Sequence, residues 1–246
     1  MTRQGVDVSH WQGDIDWEQV KASGIDFVIV KAGGSDAGFY EDSKFRENYE
    51  AAKAVGVDVG AYYFVGKYCK SYEDGVADAM RFIAMISGLQ FEYPVYIDFE
   101  APDASDKEGN TEACIGFCKT MEDNDYFAGI YASEISGFHD RLDDSKLQSY
   151  SHWVARYGKR PSTIPEKVFG IWQYSSKGSV AGISGNVDMD ISYVDFTSII
   201  KNAGLNGFTK PQTENKPAVP VELTLEERVA ALEEKINIIL DSIVDK

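Results

Sequence analysis

Positive charge is scarce in this sequence. Its 246 residues carry 24 Lys+Arg against 40 Asp+Glu, a formal net charge of −16. No basic excess exists to displace counterions from a phosphate backbone, so nucleic acid is excluded as a partner. A basic helix lying on a membrane surface is excluded on the same grounds. Long apolar runs are missing too: none approaches the roughly 18–20 residues that cross a bilayer, and no membrane insertion is expected. Cysteine is sparse and odd in number. Cys114 and Cys118 stand at helical i,i+4 spacing, and with Cys69 they lack the second pair of a zinc site, so they read as buried reduced thiols. His10, His139 and His152 are too few and scattered for a zinc cluster, and neither metal nor cofactor is expected. No Gly-x-Ser-x-Gly elbow, P-loop or dinucleotide fingerprint occurs. Met1-Thr2-Arg3-Gln4 leads directly into strand-like Gly5-Val6-Asp7-Val8 instead of a signal-peptide core, so the expectation is synthesis in a cytoplasm without a signal peptide.

What is present divides into three textures. Thr209 to Glu222 holds three of the seven prolines (Pro211, Pro217, Pro220) among polar residues and reads as an extended linker over 209–222. Residues 223–246 contain neither Gly nor Pro. Residues 1–208 alternate β-rich runs with helical stretches. Candidate strands are Val6–Ser9, Phe27–Lys31, Ala61–Val65, Val95–Phe99, Phe127–Tyr131, Trp153–Arg156, Ile171–Tyr174 and Val187–Ile191. Several are almost continuously apolar, as parallel strands covered on both faces are. Helical patterns fall at Trp17–Ser23, Ser43–Val55, Glu73–Ile86 and Thr111–Glu122, the first three followed by Gly24, Gly56 and Gly88 at C-capping positions. The fold class is therefore α/β, an irregular (β/α)8-type barrel with a helix-poor second half.

In such a barrel the chemistry gathers at the C-terminal ends of the strands. Those ends are acidic: Asp7 on the first strand, Asp98 and Glu100 on the fourth, Asp188 and Asp190 on the eighth. Asp98 and Glu100 are two apart, so on a strand they share a face, with Cα atoms about 6.5–7 Å apart. Such a pair can divide the work of glycoside cleavage, one acid protonated for the leaving oxygen and one ionised to stabilise positive charge. Alone, the Asp-x-Glu is weak evidence, and a solvated loop entry explains it more often than a site does. Aromatics near the same ends (His10 and Trp11, Tyr62 and Tyr63, Tyr96, Tyr131, Trp172, Tyr174) suit stacking on sugar C–H faces, or else fill the barrel. A glycan-binding barrel without catalysis, and a metal-dependent hydrolase using Asp7, Asp98, Glu100 and Asp188 as oxygen ligands, remain alternatives.

A run of motifs in order carries a resemblance. Gly5-Val6-Asp7-Val8-Ser9-His10-Trp11-Gln12-Gly13 is followed by Ile15-Asp16-Trp17, Phe27-Val28-Ile29-Val30-Lys31-Ala32 and Gly60-Ala61-Tyr62-Tyr63-Phe64. Then come Pro94-Val95-Tyr96-Ile97-Asp98-Phe99-Glu100, Gly129-Ile130-Tyr131, Trp153-Val154-Ala155-Arg156-Tyr157, Ile171-Trp172-Gln173-Tyr174 and Gly182-Ile183-Ser184-Gly185-Asn186-Val187-Asp188. Together they resemble the lysozymes of glycoside hydrolase family 25. The resemblance implies hydrolysis of the β-1,4 bond from N-acetylmuramic acid to N-acetylglucosamine in peptidoglycan. It implies Glu100 as proton donor and Asp98 as the acid that orients and stabilises the substrate's acetamido group. Asp7 and Asp188 match the family's further groove acids, and Tyr62, Tyr96, Tyr131, Trp172 and Tyr174 are the expected substrate-binding aromatics. Asp190 occupies a position that varies, and Tyr63 one where His is also common. Chitinases also place Asp-x-Glu on a barrel strand, but their longer pattern requires acids where Tyr93 and Tyr96 stand here. Absence of a signal peptide and of a sizeable wall-binding domain implies a phage-type endolysin released to the wall by a separate pore.

Beyond the linker, Leu225, Val229, Leu232, Ile236, Ile239 and Ile243 alternate spacings of four and three, an a/d seam over almost three heptads. Thr224-x-x-Glu227 forms a capping box. Residues 223–246 therefore read as a coiled-coil helix making a homo-oligomer, dimer to tetramer, with docking onto the barrel as the alternative. Several copies would raise avidity for a repetitive wall.

Overall fold

The computed structural model describes residues 2–165 and 167–211, so the expected linker beyond Pro211 and the coiled-coil helix lie outside the described residues. The strands, in chain order, are β1 (Arg3–Val8), β2 (Phe27–Gly34), β3 (Tyr40–Glu41), β4 (Asp58–Phe64), β5 (Val95–Asp98), β6 (Ala128–Ser133), β7 (Ser151–Ala155), β8 (Phe169–Gly178) and β9 (Val187–Ser192). The α-helices are α1 (Trp17–Ala22), α2 (Phe45–Ala54), α3 (Tyr72–Ile86), α4 (Lys107–Glu122) and α5 (Phe196–Ala203). Pairing runs β1-β9-β8-β7-β6-β5-β4-β2, and β1 pairs β2 to close a barrel of eight strands, with β3 added along the end of β2.

The expected barrel is present, and so is its asymmetry. Helices α1 to α4 connect the first strands, whereas between β6 and β9 the described residues hold only a π-helical turn (Glu134–His139) and a short 3-10 turn (Asp144–Lys146). Gly24, Gly56 and Gly88 adopt positive φ just past α1, α2 and α3, which ends each helix without the Cβ clash other residues would meet. Helix α4 begins a turn before the periodicity predicts, because the Asp106 carboxylate accepts the Gly109 N–H at 2.9 Å and caps it there. Helix α5, unpredicted, carries Phe196 into the lower end of the barrel, 5.6 Å from the Tyr93 ring.

One strand runs against expectation. β9 is antiparallel to both β8 and β1. Parallel strands need a crossover of a dozen or more residues, and only 179–186 separate β8 from β9, so the chain turns back as a hairpin. Asp188 therefore sits at the start of its strand and not at its C-terminal end, with Asp190 inside the strand one layer beneath it. Reversal brings that start to the same rim as the C-terminal ends of the parallel strands, opposite Asp7.

Two apolar layers hold the barrel. Outward side chains such as Val28, Val30, Tyr63 and Val95 pack against Phe45, Phe82 and Phe117 of the helices, and Cys69, Cys114 and Cys118 are buried free thiols. Inward side chains (Phe27, Ile29, Tyr93, Tyr96, Trp153, Ile171) fill the interior, each large buried ring contributing roughly 1.5–3 kcal/mol. Gly5 and Gly129 face this filling: a Cβ would come within 2.3 Å of the Phe27 ring and 2.4 Å of the Tyr96 ring respectively, so the rings fit only because these residues lack one.

Candidate active site

The upper interior layer changes from apolar to polar. On β5, Tyr96 and Asp98 alternate inward, and Asp98 is buried at the strand end while Glu100, two residues on, is exposed at the mouth. Asp98 Oδ1 is buried without a hydrogen-bond partner. Burial, then the neighbouring Glu100 charge, pushes the Asp98 carboxyl well above its ordinary pKa, against the pull of Lys31 and Arg141. Desolvation also raises Glu100, opposed by Arg141 and then Lys31. Two mutually repelling carboxyls in a partly dry site keep a proton between them, the condition for one acid and one base.

Across the barrel a second acidic group is held by neutral donors. Asp7 and Asp188 are direct Cα partners on β1 and β9. Gln173 on β8 donates from Nε2 to Asp7 Oδ2 at 2.8 Å and to Asp188 Oδ2 at 3.4 Å. Its Oε1 accepts the hydroxyls of Tyr131 at 3.0 Å and Tyr157 at 3.2 Å. Asp190, fully buried one layer below, accepts the Trp153 indole N–H at 2.7 Å on Oδ1, while its Oδ2 accepts no N–H from the described residues. Burial and the charges of Asp190 and Asp188 raise Asp7 well above its usual range. Burial, then Glu100, pushes Asp188 up to about 6; burial, with the Asp188 charge adding to it, pushes Asp190 up to about 8.

The aromatics sort themselves by strand face. Tyr62 and Tyr131 lie in the floor against Trp153, with ring centroids 5.9 and 4.4 Å from it. The Tyr62 hydroxyl is within electrostatic reach of Asp7, Asp98, Asp42 and Asp188, so it stands between the two acidic groups. Tyr96 is not brought to the groove: it is fully buried below Trp153, its hydroxyl 3.5 Å from Ser151 Oγ. Trp172 and Tyr174 lie together on the side of β8 opposite Gln173, their rings 5.7 Å apart, and the Trp172 indole donates to Arg156 O at 2.7 Å. Tyr63 also points outward, donating to Asp78 at 3.2 Å.

Four residues here carried no role in the sequence reading. Lys31 and Gln173 were legible, because a polar residue at an inward position of an otherwise apolar strand is costly without a purpose. Tyr157 and Arg141 were not; they come from irregular segments whose path no periodicity fixes. Among the described residues, no group of three or more His, Cys, Asp or Glu is arranged to hold a metal ion.

A closed β/α barrel with paired carboxyls at one strand end, faced by further acids over an aromatic floor, defines a glycosidase-type site. The particular family follows from comparison: residues 6–183 match the model of glycosyl hydrolases family 25, and the chain belongs to that family of glycoside hydrolases. The chain is 31% identical over 203 residues to lysozyme M1 of Streptomyces globisporus, covering 75% of this chain and 66% of that protein. It is 28% identical over 187 residues to the autolytic lysozyme of Clostridium acetobutylicum, covering 76% of this chain and 55% of that protein. The crystal structure of the CTP1L endolysin superposes with a TM-score of 0.70 at 27% identity, covering 81% of this chain and 70% of that one. The match thus spans about 55–66% of the length of these two lysozymes.

Proposed function

We propose that this chain hydrolyses the β-1,4 bond between N-acetylmuramic acid and N-acetylglucosamine in peptidoglycan. The observation that carries the reading is the Asp98–Glu100 pair: a buried carboxyl with a free oxygen beside an accessible one, both with raised pKa. Glu100 gives its proton to the leaving glycosidic oxygen as the C1–O bond breaks. The substrate's acetamido oxygen closes onto C1, and Asp98 accepts the acetamido N–H, whose growing positive charge favours the ionised form. Glu100, now a carboxylate, removes a proton from water as the water oxygen attacks C1 and the acetamido group reopens. Lys31 and Arg141 keep the pair from trapping two protons. Asp7 and Asp188, held by Gln173, bind the sugar from the other side, over Tyr62 and Tyr131.

The names of the relatives, two lysozymes and an endolysin, support this substrate and a role as a lysin acting on the bacterial wall in phage-mediated lysis. For residues 223–246, outside the described part, the heptad seam supports self-association; removing them should lower the mass seen in light scattering, and an unchanged mass would refute it.

Digestion of purified peptidoglycan with analysis of new reducing ends tests the activity. Reducing muramic acid is expected. Reducing glucosamine would make the chain a glucosaminidase, and release of amino groups without glycan cleavage would overturn the reading. Glu100→Gln should fold normally and lose about three or more orders of magnitude in rate.

A further inference from the structure

Trp11 is 80% exposed. A ring of that size is seldom left in water by a segment that could move to cover it. The turn holding Trp11 is held by its own hydrogen bonds and, through His10, by Asp42. Ser9 Oγ accepts the Trp11 N–H at 3.2 Å, Gln12 Oε1 accepts the Ser9 N–H at 2.9 Å, and Gly13 at φ +63° donates its N–H to His10 O. The neighbouring His10 ring lies 4.8 Å from the indole, with its Nδ1 2.6 Å from Asp42 Oδ2. Asp42 is itself locked: its side chain is fully buried, and it accepts the backbone N–H groups of His10 at 3.3 Å and Lys44 at 2.9 Å. With Nδ1 directed to the carboxylate, Nε2 has no partner among the described residues. Packing gives no reason for a buried carboxylate to steady a half-exposed imidazole beside an exposed indole.

Position supplies the reason. The turn follows β1 directly, three residues after Asp7, on the rim where the acids gather. Asp42 lies within electrostatic reach of the Tyr62 hydroxyl, as do Asp7, Asp98 and Asp188. We infer that His10 and Trp11 form a preorganised sugar-binding platform at the β1 edge of the groove, where the indole face stacks on an N-acetylated pyranose and His10 Nε2 exchanges a hydrogen bond with its hydroxyl or acetamido group. The inference rests on the muramidase reading and adds a subsite to it. A second copy of the chain is a poor occupant: one ring falls far short of the roughly 1,000 Å² that a specific protein interface buries.

The test uses the full-length chain carrying Glu100→Gln, so that binding is measured without cleavage. Tetra-N-acetylchitotetraose and peptide-stripped peptidoglycan strands are titrated by calorimetry and by tryptophan emission. The other tryptophans are buried (Trp17, Trp153) or half-buried (Trp172), so Trp11 dominates the solvent-exposed signal. Adding Trp11→Ala should weaken binding about tenfold, His10→Ala severalfold, and Trp11→Phe should keep affinity within about threefold while abolishing most of the emission change. Equal affinity of the Trp11→Ala and parent chains would overturn the platform, as would failure of the parent to bind either glycan. Failure of the wild-type enzyme to release reducing muramic acid would instead overturn the muramidase reading, whatever Trp11 does.

Discussion

Asp7 and Asp188 face one another across the β1–β9 ladder, and a single amide, Gln173 Nε2, donates to both. Like charges directly opposed on a sheet repel, and no cation is paired with either carboxyl among the described residues. The amide, fixed by the Tyr131 and Tyr157 hydroxyls on its oxygen, replaces the water that would otherwise solvate the pair.

Gln173→Ala should therefore act twice. Removing the donor from a buried carboxyl costs on the order of 1–3 kcal/mol, which thermal unfolding near neutral pH would show. The freed tyrosine hydroxyls no longer set the groove acids, so kcat/KM on peptidoglycan should fall by roughly 10- to 100-fold. Unchanged stability together with unchanged turnover would show that the bridge has no energetic role.

Lys31 bears on the other pair. Its ammonium is buried among rings, 4.5 Å from the Phe64 centroid and 5.9 Å from that of Tyr62, and it draws both Asp98 and Glu100 downward in pKa. Lys31→Met keeps an unbranched apolar stem and removes the charge. Both carboxyls should then rise, and Glu100 should stay protonated to higher pH. The expected result is an upward displacement of both limbs of the pH–kcat/KM profile, by about half to one pH unit. A profile that loses height without moving would leave Lys31 a packing role only.

Such details show what a sequence does and does not disclose. Periodicity reveals strands, helices and the acidic strand ends because burial repeats every two or 3.6 residues, and Asp98 with Glu100 can be paired from spacing alone. Spacing does not tell which neighbour a strand pairs with. Asp188 reads as a strand end, yet it reaches Asp7 because the 179–186 connection is too short for a crossover. Alternation does separate Tyr62 from Tyr63 and Gln173 from Trp172 once the inward face is known, but Tyr96 shares the inward face with Asp98 and differs only in depth. Depth within a barrel depends on shear, a property of all eight strands together.

Asp190 gives a prediction whose sign is fixed by linkage. Its carboxyl is fully buried, with burial raising its pKa to about 8 from an ordinary 3.8. A carboxyl raised in the folded state binds protons more tightly there than in the unfolded chain. Its contribution to stability is therefore fully present below about pH 4 and is lost as pH rises through about 8. Asp190→Asn removes this loss: the amide oxygen can still accept the Trp153 N–H, and the NH2 can donate to the neighbouring Asp7 carboxyl. The variant should match the wild type in thermal stability near pH 4 and exceed it at pH 8–9 by on the order of 2 kcal/mol, about 4–8 °C in Tm. The gain should grow steadily between those limits, since it follows the titration of one buried group and not a change in packing. A variant less stable at every pH would mean that Asp190 is held as a carboxylate by interactions stronger than its desolvation.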